Sequence, residues 1–130
     1  RDEAADMAEG LKEYLRTARD RPFAWGEWDC CHFAADWYLR RTGVDALANF
    51  RGAYSSEREA RALMEREGGL LAALDARLQR SDDPIVGVVV LPNQEPACAI
   101  PCSSRWAFLT PDGVAICDPV RVYATVVGFA

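Results

Sequence analysis

Pro22-Phe23-Ala24-Trp25-Gly26-Glu27-Trp28-Asp29-Cys30-Cys31-His32-Phe33-Ala34-Ala35-Asp36 is the stretch on which the fold turns. An aromatic segment holding one glycine runs into Asp-Cys. From Cys30 the apolar residues Phe33, Ala34 and Trp37 recur at i+3, i+4 and i+7, the repeat of a helix face. Asp29 suits the N-cap, because its carboxylate can accept a free backbone N–H of the first turn. That reading sets the Cys30 sulfur beside the positive end of a helix, where a thiolate is favoured and a depressed pKa is expected. Thr42-Gly43 supplies the stop of this helix, after about Arg41.

Outward from this helix the first half reads helical. Met7, Leu11, Tyr14, Leu15 and Ala18 form one apolar face of an earlier helix. After a loop holding Phe50, Gly52 and Tyr54, Ser56-Glu57-Arg58-Glu59 is a capping box that opens a third helix. Gly68-Gly69 breaks it, and a fourth piece runs from Leu70 to Leu78. The Glu/Arg run from Glu57 to Glu67 is a solvated face with i,i+4 pairs.

The second half reads as strands. Ile85 to Leu91, Ala97 to Ile100, Trp106 to Leu109, Val114 to Cys117 and Val120 to Phe129 are the candidates. Pro111-Asp112-Gly113 is a turn signal, so the third and fourth are expected to pair as a hairpin. Helices first and antiparallel strands after predict an α+β fold: N-terminal helices followed by a small antiparallel sheet. The whole of 1–130 reads as one domain, with no repeat, linker or low-complexity segment.

The net charge is −5, and no basic stripe is available to offset phosphate, so nucleic acid is not an expected partner. No apolar run approaches the ~18 residues of a membrane span, so no membrane partner is expected. Arg1-Asp2-Glu3 opens without an apolar stretch, so no signal peptide is expected. Five cysteines is an odd count, which argues against a secreted disulfide framework and for mostly free thiols. Cys31, Cys98, Cys102 and Cys117 read as structural thiols packed as small hydrophobes. A zinc site would need pairs of ligands in each half. Vicinal cysteines in a helix point about 100° apart, so Cys30 and Cys31 cannot easily both serve, and no metal or other cofactor is expected. Trp37 and Trp106 read as core; Trp25 and Trp28 are candidates to line a groove.

Helices followed by a small antiparallel sheet, with Asp-Cys at a helix start, resemble the NlpC-type cell-wall peptidases, a papain-like group. The closer resemblance is to a bacterial and prophage family found near phage tail genes, with the pattern Pro-Phe-x-Trp-Gly-x-x-Asp-Cys-x-x-Phe-Ala, carried here by Pro22 to Ala34. Phe50-Arg51-Gly52-Ala53-Tyr54 and Ala107-Phe108-Leu109-Thr110-Pro111-Asp112-Gly113 also look like that family. The resemblance implies an NlpC/papain-like core and Cys30 as the nucleophile, with Asp29 beside it. It also implies a histidine base at the start of a strand, near Pro96 to Ile100. No histidine stands there, and none occurs after His32. Where such domains often begin the first strand with Gly-Asp, this chain has Gly87-Val88.

His32 is the one imidazole in the chain, and residues i and i+2 of a helix point about 200° apart, so it does not face Cys30. Without a base, nothing protonates a leaving amine. The expected function is therefore a phage tail structural protein that lacks a full catalytic dyad, carried in the virion tail and made in the host cytoplasm. Its expected partners are other tail proteins, docked on an exposed apolar patch at Trp25, Trp28 and the 44–54 loop. The alternative is an active cysteine peptidase cutting peptidoglycan peptide stems, with peptidoglycan as partner.

Overall fold

The computed structural model describes residues 3–91, 94–117 and 126–130. Four helices come first: α1 (Glu3–Arg19), α2 (Cys30–Thr42), α3 (Glu57–Arg66) and α4 (Leu70–Asp75). Five strands follow: β1 (Val86–Val90), β2 (Pro96–Cys102), β3 (Arg105–Thr110), β4 (Gly113–Cys117) and β5 (Val126–Phe129). They form one sheet in the order β4-β3-β2-β1-β5, and every neighbouring pair is antiparallel. The fold is α+β. The expected hairpin is present, with Leu109 opposite Val114 and Thr110 opposite Gly113. The last strand, expected from Val120, is seen at Val126–Phe129; residues 118–125 lie outside the described residues.

Alternation along the strands sorts the sheet into two faces. Val86, Val88, Cys98, Ile100, Ala107 and Leu109 join the helices in the main core. Val89, Ala97, Ala99, Trp106 and Phe108 form a second cluster on the opposite face. Gly87 is fixed by this second layer. A Cβ there would lie 2.7 Å from the Trp106 ring and 2.5 Å from the Val127 carbonyl oxygen. The position therefore needs a bare Cα for Trp106 to lie on.

Helix α2 is the centre of the main core because its apolar repeat faces the sheet. Phe33, Ala34, Trp37 and Tyr38 are buried, and the helix packs on β1, β2 and β3. It ends as its sequence demands: Gly43 is left-handed at φ 78°, and its N–H returns to the Leu39 carbonyl at 2.8 Å. Helix α1 crosses above, with the Tyr14 ring stacked on Phe33 at 5.6 Å and tilted against Trp37 at 5.4 Å. The Tyr14 hydroxyl donates to the Phe33 carbonyl at 2.6 Å, and burial pushes its pKa well above the usual phenol value. Met7, placed on the apolar face from its spacing, is 39% exposed, and its sulfur accepts from the Arg41 guanidinium at 3.2 Å.

At α3 the capping box is shifted by one residue. The Ser56 hydroxyl accepts from Glu59 N–H, as expected of the N-cap. The Glu59 carboxylate reaches back past Ser56 to the N–H and hydroxyl of Ser55, each at 2.9 Å. Helix α4 stops at Asp75, three residues short of the expected Leu78. Leu78 still joins the core, from the turn that follows.

Candidate functional site

The segment before α2 folds into a closed turn. Ala24 and Trp28 pair through two backbone hydrogen bonds, Ala24 N–H to the Trp28 carbonyl at 2.9 Å and Trp28 N–H to the Ala24 carbonyl at 2.7 Å. Gly26, at the tip, has φ 81°, and a Cβ there would lie 1.8 Å from the Tyr54 carbonyl oxygen. Glycine is required on both counts, by the left-handed backbone and by the close approach of a second loop. Gly52 N–H donates to the Gly26 carbonyl at 3.1 Å and fastens the two loops together.

Asp29 is where these pieces meet. Its side chain is the N-cap of α2, accepting His32 N–H at 3.0 Å, as the sequence predicts. The same carboxylate accepts Gly26 N–H at 3.0 Å, the His32 ring Nδ1 at 2.8 Å and the Tyr54 hydroxyl. Asp29 is 1% exposed. Burial alone would raise its pKa, but the bonds from His32, Tyr54 and Gly26 outweigh it and hold the carboxyl at about 2. Tyr54 answers in the opposite sense: burial first, then its bond to Asp29, push its hydroxyl far above the usual value. Arg51 holds the Tyr54 loop in place by bridging Asp36 of α2 at 2.6 Å and Asp45 at 2.9 Å.

This network decides the role of His32. Its ring is 1% exposed and committed through Nδ1 to Asp29, and it makes no hydrogen bond to Cys30. Nε2 is buried and has no hydrogen-bond partner among the described residues. The imidazole does not serve Cys30, as the i+2 spacing predicts, and instead supports the helix start through Asp29. Sequence reasoning missed its bond to Asp29, for which the Asp29-x-x-His32 spacing was the available signal. It also missed Tyr54 and Gly26 as partners of Asp29, although they lie in two of the three segments that carry the family resemblance.

Cys30 opens onto a groove of about 970 Å³ between α2, the start of α3 and α4, and the ends of β2 and β3. Trp25, Tyr54, Arg61, Ala97 and Leu109 are among its walls. β2 and β3 pair from Ile100 opposite Ala107 to Cys102 opposite Arg105, and the ends of the two strands beyond that pairing, Pro96-Ala97 and Phe108 to Thr110, line the groove. Trp25 is half-buried and meets Phe23 edge-on at 4.9 Å. Trp28 does not line this groove. It is 3% exposed, packed edge-on against Tyr14 and Phe33, with the Arg21 guanidinium 4.2 Å over its ring. The docking role expected of Trp28 is thus corrected to a core role, because the closed turn folds its ring inward. In the 44–54 loop, Phe50 and Tyr54 are likewise buried, and Val44 is the large apolar side chain left exposed.

Three thiols lie together at the head of α2. Cys31 and Cys98 share a hydrogen bond with sulfurs 3.6 Å apart, and the Cys98 backbone donates toward the Cys30 sulfur. The pKa of Cys30 is raised, not lowered as its place at a helix start suggests. Its hydrogen bond with the Cys31 thiol and its burial outweigh the donor from Cys98. Cys31 is drawn down by Cys30 but pushed up more by Cys98 and burial. Among the described residues no group of three or more His, Cys, Asp or Glu side chains is placed to hold a metal ion.

The fold and site thus define a class: an α+β domain with a cysteine at a capped helix start, facing a groove beside an antiparallel sheet. A family model described as a domain of unknown function, DUF6950, matches residues 3–125, and the chain belongs to that family. No curated protein and no solved structure matches the chain.

Proposed function

We propose that this domain is a catalytically silent relative of the NlpC/papain-like peptidases that works by contact, as a structural component of a phage tail. One observation carries the reading. The groove keeps Cys30 at its floor, but Pro96 and Ala97 stand where the resemblance requires a histidine. The chain's one imidazole is buried in the Asp29 network instead. A raised thiol pKa with no base leaves neither an attacking thiolate near neutral pH nor an acid for the leaving amine. What remains is a shaped groove with an aromatic rim at Phe23 and Trp25, a surface for binding without turnover. The tail setting and the virion location rest on the resemblance of Pro22 to Ala34. Among the described residues no helix is long and apolar enough to cross a membrane.

The alternative is a cysteine peptidase acting on peptidoglycan stems, and the size of the groove around Cys30 favours keeping it. Phage carrying Cys30→Ser or Trp25→Ala separate the two. The contact reading expects Trp25→Ala to lower incorporation of the protein into particles, and Cys30→Ser particles to assemble and infect with near-normal efficiency. Normally assembled Cys30→Ser particles that fail to infect or to release peptidoglycan fragments would establish the peptidase.

A further inference from the structure

We propose that Cys31 and Cys98 are a redox pair, closing into a reversible disulfide between α2 and β2 when a low-molecular-weight disulfide enters the groove. The sulfurs are already 3.6 Å apart across 67 residues of sequence, in free thiols. A disulfide is ~2.05 Å long, so closure asks for an approach of about 1.5 Å, which modest rotation of the two side chains supplies. The pairing is selective for geometric reasons. Cys30 also hydrogen-bonds the Cys31 thiol, but the two are adjacent residues of a helix whose side chains point about 100° apart, so a bond between them would break the helix start, whereas Cys98 comes from a separate strand. Cys98 belongs to the face of β2 that packs on the helices. Cys102 and Cys117 stand opposite Arg105 and Trp106 in the strand pairs, with no sulfur across from them.

The pair is also reachable. Cys31 is half-buried and lines the groove beside Cys30, so a small disulfide can meet its sulfur there. The Cys31 thiolate attacks one sulfur of RSSR, forming a mixed disulfide and releasing one thiol. Cys98 then gives up its proton, attacks the Cys31 sulfur and expels the second thiol, which takes a proton. The small disulfide gains two electrons and leaves as two RSH; the cysteine pair loses two electrons and becomes one S–S bond. Both thiols are pushed up in pKa, so the exchange is slow at neutral pH and quickens as pH rises. Cys30 stays a free thiol throughout. The inference is independent of the contact role proposed above.

The test uses the full chain and glutathione disulfide at mildly alkaline pH, followed by alkylation and fragment-level mass mapping. The expected product is a Cys31–Cys98 link, reversed by dithiothreitol, with Cys30, Cys102 and Cys117 alkylated. Cys30→Ser should leave the link unchanged. Cys98→Ala should abolish it and leave glutathione on Cys31. Because the link closes a long loop, the oxidised protein should melt about 5 °C or more above the reduced protein, and Cys98→Ala should lose that rise. Recovery of Cys31 and Cys98 both alkylated after exhaustive oxidant would overturn the proposal. So would a dominant link through Cys30.

Discussion

Replacing Asp29 by alanine removes one carboxylate and orphans four donors at once. The His32 N–H loses its cap, a loss worth about 1 kcal/mol. Gly26 N–H, the His32 ring Nδ1 and the Tyr54 hydroxyl are left in a buried site without their acceptor. Each such group costs about 1 kcal/mol at the low end of the usual range, so the sum is about 4 kcal/mol. That is a large share of the roughly 5–15 kcal/mol by which a domain is stable. At a urea slope of about 2 kcal/mol per molar, the midpoint should fall by about 2 M, with the slope unchanged. Asp29→Asn keeps one acceptor oxygen and should lose about half as much. Tryptophan fluorescence in a urea series reads both. A loss under about 1 kcal/mol for Asp29→Ala would refute the reading of Asp29 as the hub that joins the two loops to α2.

Acid tests the same hub without mutation. Asp29 falls from an ordinary 3.8 to about 2 on folding, so its contribution is full above the unfolded value and is lost as pH drops through the folded one. The shift corresponds to about 2.5 kcal/mol, disappearing between roughly pH 5 and pH 1, and Asp29→Asn should flatten that part of the stability profile; an unchanged profile would assign the acid sensitivity elsewhere. Gly26→Ala should cost about 3 kcal/mol or more, since it adds both a left-handed backbone penalty and a clash with the Tyr54 carbonyl; calorimetry showing a near-neutral change would contradict the loop contact. Gly87→Ala should also destabilise, by about 1–3 kcal/mol, and should shift Trp106 fluorescence, because the new methyl meets that ring.

The hierarchy of elements was legible because it is written in local periodicity. The i+3, i+4, i+7 repeat from Cys30, the Asp29 cap and the Gly43 stop all reappear in α2. The Pro111-Asp112-Gly113 turn gave its hairpin. What local pattern does not carry is the long-range partner. Nothing in the sequence near Asp29 says that Tyr54, twenty-five residues on, completes its hydrogen bonds. The same limit misplaced Trp28: its neighbours mark a loop, but the backbone pairing of Ala24 with Trp28 turns the ring into the core. It also inverted the expectation for the Cys30 thiol. The helix start argues for a low pKa, whereas the hydrogen bond with the Cys31 thiol and burial raise it and outweigh the backbone donor from Cys98, sixty-eight residues away.

The rate of Cys30 alkylation by iodoacetamide against pH tests the central claim most directly, read site by site from pH 5 to pH 11 by mass spectrometry. An inert thiol at a groove floor should react slowly at neutral pH and climb through a single inflection on the alkaline side of an ordinary thiol, with no fast plateau below it and no change of inflection in a His32→Gln variant that remains folded. A plateau of fast reaction already present near pH 6 to 7, lost in that variant, would show a thiolate activated by an imidazole and would contradict the account.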